Sequence, residues 1–369
     1  MFKPSLRSIW SLLALAALAV ALYYIAQSQY VEAKDKEKLE AAELMSRCME
    51  ALKDEVVASG YHINERIDPA QTGLVGPRNS SITTSAGILS NKITTLNPNF
   101  AAVYVDLLRQ AGVHSGDWIA VGLTGAEPGA NLALYCAMQT IDVNPVIITA
   151  VGAAEFGANR EDFTWLDMER VLYQRELIGF GSVRASLGGF RDLGHDLDSL
   201  GVANLLEAMK RNKVPLIRGR FLSDNVLLRR EIYDEALAQG RQYALFVNIG
   251  AGAANVGDFE NAKAIRTGLN TRLAEQEFET PGVMMEFAKT MPVLHIYHIR
   301  TLADRFGMPV AARQLPEVGE GAVFESRALN VTVAIICLAI ILLAITVVVI
   351  FDRKDRHFLE NVIDPDKEL

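Results

Sequence analysis

The sequence is poor in the residues that carry metal and redox chemistry. Three cysteines and six histidines among 369 residues exclude a disulfide-dense scaffold and leave no zinc signature. His295 and His298 stand three apart, without HExxH or a third partner. His195 lies among Asp192, Asp196 and Asp198, but the stretch lacks the spacing and terminal Glu of a calcium loop. Acids favouring a helix start account for it more simply. No GxSxG elbow and no GxxxxGK[ST] phosphate loop occurs, which argues against a hydrolase of the elbow type and a P-loop nucleotide enzyme. No segment repeats every 20–50 residues, so solenoids and propellers drop out. Positive charge is short as well: 36 Lys and Arg face 44 Asp and Glu, a net −8. With no basic patch interleaved with aromatics, nucleic acid is excluded as a partner. Nothing calls for a cofactor or a resident metal.

What the chain has in plenty is apolar length. Residues 9–26 (IWSLLALAALAVALYYIA) carry no charge and follow Lys3 and Arg7. Residues 331–351 (VTVAIICLAIILLAITVVVIF) are also uncharged and precede Arg353, Lys354 and Arg356. A helix rises about 1.5 Å per residue, so about 20 such residues span a bilayer core. The first run also fits a signal peptide removed near residues 26–29, but the helical pattern continues unbroken behind it, which favours an uncleaved anchor. The basic cluster after the second run places both chain ends in the cytoplasm and the bulk of the chain outside the cytoplasmic (inner) membrane. Cys337 lies in the second run, leaving Cys48 and Cys136 as an open question of pairing. Cys136 sits on an apolar helix face, where a buried thiol is the common outcome.

The expected organisation is a cytoplasmic N-terminus with a first transmembrane helix over 1–29, a helical stalk over 30–60, an extracytoplasmic α/β domain over 61–327, a second transmembrane helix over 328–351, and a cytoplasmic tail over 352–369. Inside the domain, helices are read over 98–111, 130–141, 197–211, 224–239, 283–290 and 299–306. Strands are read over 118–124, 145–151, 214–217, 243–249 and 293–296. Short unbroken apolar strands alternating with amphipathic helices predict an open, doubly wound, mainly parallel sheet flanked by the two transmembrane helices. In that class ligands bind at the carboxyl ends of the strands.

Three stretches fall there. The turn TGAEPGAN contributes Thr124, Gly125, Glu127, Gly129 and Asn131. It serves as a tight strand-to-helix connection, and its free N–H groups also suit a carboxylate. It lacks a lysine, and Glu127 would repel phosphate. The turn NIGAGAANVG contributes Asn248, Gly250, Gly252 and Asn255, with glycines spaced more widely than the dinucleotide fingerprint GxGxxG. Two glycine turns at strand ends suggest one shared pocket. The third stretch is polar: Ser80, Ser81, Thr83 and Thr84, with Lys92 further on as a conceivable base for a hydroxyl nucleophile. Its plainer reading is a surface loop that satisfies its own backbone.

Over nearly its whole length the sequence resembles the poly-γ-glutamate system proteins. The likeness rests on RSIWSLLALAALA, TGLVG, SSITTSAG, KITTLNPNFAA, LLRQAGVHSGDWIAVGLTGAEPGANLA, LFVNIGAGAANVG and MPVLHIYHIRTLADRFGMPV. The resemblance implies a role in making, exporting or processing that polymer at the cell envelope, and it supplies no catalytic residue. The leading expectation is therefore a membrane-anchored accessory component. Its outer domain binds poly-γ-glutamate or the membrane components of its synthase. The alternatives are an extracytoplasmic Ser/Thr hydrolase or transferase of γ-glutamyl amides, and a non-catalytic membrane scaffold, a homo-oligomer that dimerises through its spans and stalk. Arg211, Lys213, Arg218, Arg220, Arg229 and Arg230 cluster in sequence; an anion track requires that such residues converge on the glycine turns.

Overall fold

In a computed structural model, the chain is described over residues 8–237 and 240–362. Lys3 and Arg7, the end of the helix expected over 224–239, and the last seven residues of the tail lie outside them. The chain divides into two units, residues 1–33 with 325–369 and residues 34–324.

The first unit holds helix α1 (Ile9–Ser28), and its strand β1 (Tyr30–Lys34) pairs with the later β10 (Glu325–Leu329). The long helix α13 (Val331–Val362) follows. Ile9–Ser28 and Val331–Asp352 are long and apolar enough to cross a membrane. α1 and α13 lie side by side, with Ala14, Leu18, Leu343 and Val347 lining the crevice between them. The second helix runs past the expected end of its span, so Arg353, Lys354 and Arg356 lie along its continuation.

The second unit begins with α2 (Lys36–Ala58), capped by the Asp35 side chain, which accepts from Lys38 N at 3.2 Å. This segment was expected as a stalk, and the structure corrects that. Ala41, Met45, Cys48, Leu52 and Val56 form a stripe at helical spacing that is buried in the main core. Lys38 is held by Asp106 at 2.7 Å and by the Val323 carbonyl at 3.0 Å. The exposed charges of this helix, among them Glu43, Arg47, Glu50 and Asp54, lie on the outer face of a core helix. Cys48 and Cys136 face each other as buried free thiols, Sγ to Sγ 3.9 Å.

There follow β2 (Thr83–Ser85), α3 (Leu89–Thr95) and α4 (Phe100–Gln110), then β3 (Trp118–Thr124), α5 (Pro128–Ile141) and β4 (Asn144–Ala150). β5 (Ala153–Ala154) pairs with β2. α6 (Trp165–Gln174), β6 (Ser182–Ser186), α7 (Ser199–Arg211), α8 (Leu222–Ala236) and β7 (Tyr243–Ile249) come next. The unit ends with α9 (Ala253–Val256), α10 (Phe259–Ala264), β8 (Gly268–Asn270), α11 (Val283–Ala288), β9 (Val293–Ile296) and α12 (Ile299–Arg305).

The main sheet has the order β6-β4-β3-β7-β9-β8, parallel except for the β8 edge. Alternate residues feed two cores, as a period of two requires. Ile119, Val121 and Leu123 of β3 with Leu245, Val247 and Ile249 of β7 face α2, α4 and α5. Ala120 and Phe246 face α8 and α11. On that side Tyr233 donates to Val121 O at 2.7 Å and Tyr243 to Tyr233 O at 2.6 Å, so both buried phenols are satisfied. The mixed α/β, mainly parallel architecture read from the sequence is what the chain adopts. The strand expected over 214–217 shrinks to one bridge, Ala185 to Leu216, while α3, α6, β6 and β8 are additions.

Because α2 is core, Leu52→Ala is expected to destabilise the second unit by about 2–5 kcal/mol. Denaturant unfolding of the full-length protein in detergent measures this. A solvent-facing stalk position would change stability by no more than about 0.5 kcal/mol.

Candidate functional site

Crossovers from β3 run first to β4 and β6, and the chain then returns to lay β7 on the other side of β3. The strand order reverses at that point, and a crevice opens at the carboxyl ends. A cleft of about 1820 Å³ occupies it, lined at its floor by Thr124, Ala150 and Gly250.

The two glycine turns meet there. Gly250 has φ +89°, and a Cβ on it would collide with Thr124 Oγ1. A Cβ on Gly122 would stand 2.5 Å from Asn255 Nδ2. Below the second turn, Asn248 Nδ2 donates to Gly250 O at 2.8 Å and lies 3.0 Å from His295 Nδ1. His295 Nε2 is 3.0 Å from Ala262 O, so the ring carries its proton on Nε2 and accepts on Nδ1. Burial, outweighing the Ala262 bond, pulls the His295 pKa from 6.5 down to about 4.

Of the residues expected to bind a ligand, Thr124, Glu127, Gly250 and Gly252 line the cleft. The others stand behind it. Gly125 N bonds Ala150 O at 2.9 Å, Asn131 Nδ2 holds Thr124 O at 2.9 Å, and Gly129 packs on Thr95. Asn255 Oδ1 accepts from Arg229 Nη1 at 2.9 Å. The third stretch reaches the cleft through Thr84 and Lys92. The hydroxyls bond to neighbours other than the candidate base. Ser80 pairs with Thr83 at 3.1 Å, Ser81 donates to Glu161 at 2.9 Å, and Thr84 donates to Ala153 O at 3.2 Å. None bonds Lys92, whose ammonium is paired with Glu127 instead. The candidate base is thus the counter-ion of the acid in the first turn, an arrangement that removes the repulsion Glu127 would otherwise offer an anion.

The loop over 188–196 is the part that sequence reasoning missed. Arg191 and Asp192 both adopt left-handed backbone, φ +57° and +61°, an unfavourable state for non-glycine residues. It is held by Asp192, which accepts from Ser186 Oγ at 2.7 Å, Asn225 Nδ2 at 3.1 Å and Arg229 Nη2 at 3.1 Å. The acid expected at a solvated helix start is therefore a buried anchor; the N-cap of α7 is Asp198, bonded to Gly201 N at 2.8 Å. The anchored loop presents exposed Phe190 and Arg191 to the cleft.

The sequence cluster of arginines does not form the anion track. Arg211 pairs with Asp167 at 2.6 Å, Arg229 with Asp192 at 3.1 Å and Arg230 with Asp234 at 2.9 Å. Lys213, Arg218 and Arg220 lie outside the lining. The cleft is lined by Lys92, Arg191, Lys263 and Arg300 and by the acids Glu127, Asp196, Asp258 and Glu260. Lys92 and Lys263 are paired with Glu127 and Glu260, while Arg191 on the loop after β6 and Arg300 on α12 are exposed and, among the described residues, without an acid partner. No group of three or more His, Cys, Asp or Glu among the described residues is placed to hold a metal ion. Comparison with family models, with curated proteins and with solved structures finds no match.

The His295 network sets a pH dependence. The folded state refuses the proton that the unfolded chain accepts below pH 6.5, so stability falls as pH drops from 6.5 toward about 4. At full effect the loss is about 3 kcal/mol. Unfolding midpoints at pH 7 and pH 4.5 should differ more for the wild type than for His295→Gln.

Proposed function

We propose that this chain is a membrane-anchored accessory component of poly-γ-glutamate synthesis or export, and that its α/β unit binds the acidic polymer in the switch-point cleft. The observation that carries the reading is the pair of exposed guanidiniums, Arg191 and Arg300, that line the cleft with no acid partner among the described residues, in a chain whose net charge is −8. In an acidic chain such exposed guanidiniums attract a polyanion, and the lining acids Glu127 and Glu260 are already answered by Lys92 and Lys263. Poly-γ-glutamate carries one carboxylate per residue, and arginine takes a carboxylate in a two-pronged fork.

Size and rim support the same ligand. About 1820 Å³ exceeds the roughly 300–1,000 Å³ of small-molecule sites and leaves room for a run of several residues. Ile88, Phe190, Phe221 and Phe259 stand exposed on the lining. The two methylenes that each γ-linked residue places in the polymer backbone give these side chains something to cover. The two apolar helices suit a tether for the unit, and the basic residues following the second support a position outside the cytoplasmic membrane.

The test is titration of the full-length protein in detergent with poly-γ-glutamate of defined length. Binding is expected to weaken as added salt shortens the Debye length from about 30 to about 8 Å, with the polymer's length unchanged. Arg191→Ala with Arg300→Ala should lower affinity by about tenfold or more. Absence of binding at low salt, or affinity indifferent to the double substitution, overturns the reading. Shortening of the polymer would make the protein an enzyme instead.

A further inference from the structure

Deeply buried carboxylates elsewhere in this unit are filled with donors. Asp192 accepts from Ser186, Asn225 and Arg229 on its two oxygens. Asp167 accepts from Thr164, Arg211 and Asn212, and Glu169 from Tyr135, Trp165 and Ser182. Glu127 differs. Its Oε1 holds the Lys92 ammonium, while its Oε2 is buried and, among the described residues, accepts no hydrogen bond. Lys92 is equally under-used: among the described residues Glu127 is the one partner of its ammonium, leaving two N–H groups unspent. The pair is 2% and 13% exposed, and both residues line the cleft. A buried ion pair offsets its desolvation penalty best when its remaining valences are met, and here both partners keep open valences on the lining of the cleft.

We propose that Lys92 and Glu127 form a receptor for a free α-amino-acid head, with the ligand's ammonium on Glu127 Oε2 and its α-carboxylate on Lys92 Nζ. The pair offers an anionic acceptor and a cationic donor side by side. A trans amide cannot answer both, because its C=O and N–H point in opposite directions. An ammonium and a carboxylate on one carbon answer both, with charge-assisted bonds.

Resting on the reading of the cleft as a polyglutamate site, this assigns it an end of the chain. In a γ-linked glutamyl chain the α-carboxylate is not used in the linkage. Its amino-terminal residue therefore keeps the complete amino-acid head. In an α-linked chain the same carboxyl is tied into the first amide. The pair thus reads both the linkage and the amino terminus, while Arg191 and Arg300 are left for carboxylates further along.

The experiment is calorimetric titration of the full-length protein in detergent with γ-linked tetraglutamate, its N-acetyl derivative and α-linked tetraglutamate. The free γ-linked form is expected to bind about tenfold or more tightly than either of the others. Glu127→Gln combined with Lys92→Met, which removes both charges while keeping volume, should bind all three equally and weakly. Equal binding of the free and acetylated γ-linked forms by the wild type overturns the proposal, as does a preference that survives in the double variant. If no tetramer binds but long polymer does, the pair does not read the chain end and the polymer reading stands. If long polymer fails as well, that reading falls with it. The wild-type series decides even if the double variant does not fold.

Discussion

Two turns that leave adjacent parallel strands must pass within contact distance of each other, and the cleft depends on that approach. The carboxyl ends of β3 and β7 close on one another because Gly122 presents no side chain to Asn255 and Gly250 none to Thr124. Gly250 also supplies a left-handed backbone at φ +89°, a state that glycine reaches without strain. Around this contact the polar groups are arranged to hold backbone rather than ligand. Asn248 fixes Gly250 O, Asn131 fixes Thr124 O, and Arg229 fixes Asn255. Much of what looks like a ligand-binding set in the two turns is scaffolding for the wall.

The charge pattern follows the same division between inside and mouth. Behind the wall the buried Arg229 guanidinium has Asp192, and Arg211 has Asp167. On the wall Lys92 neutralises Glu127, whose charge is also felt by the buried Tyr104 phenol; burial first, and then that carboxylate, push the phenol's pKa well up. At the mouth Arg191 and Arg300 have no such partner among the described residues. These buried ions are thus paired, while the two exposed guanidiniums at the cleft are not, as the cost of desolvating an ion requires.

How much of this could be read in advance depends on the kind of signal. β3, β4, β7 and β9 announce themselves because strands covered on both faces are continuous apolar runs, and their order places the glycine turns at the switch point. β6 does not: its sequence SVRAS is half polar, and Ser182 is satisfied only through Thr149 and Glu169, far away in the chain. α2 carried a readable stripe from Ala41 to Val56, hidden by charges at the intervening positions. Lys92 and Glu127 are 35 residues apart, and no local pattern joins them. The left-handed Arg191 and Asp192 are imposed by the Asp192 anchor, a tertiary cause without a residue-type signature.

The walls of the cleft are drawn from Thr84 to Thr301, and this has a consequence for timing. During synthesis the first glycine turn is made long before the second, and β7 cannot take its place beside β3 until some 120 residues have intervened, a separation of the order that slows parallel pairing. Arg300 follows β9 in the chain. A fragment that stops short of β9 therefore lacks part of the cleft's lining, and the complete wall belongs to the whole sheet rather than to any local segment.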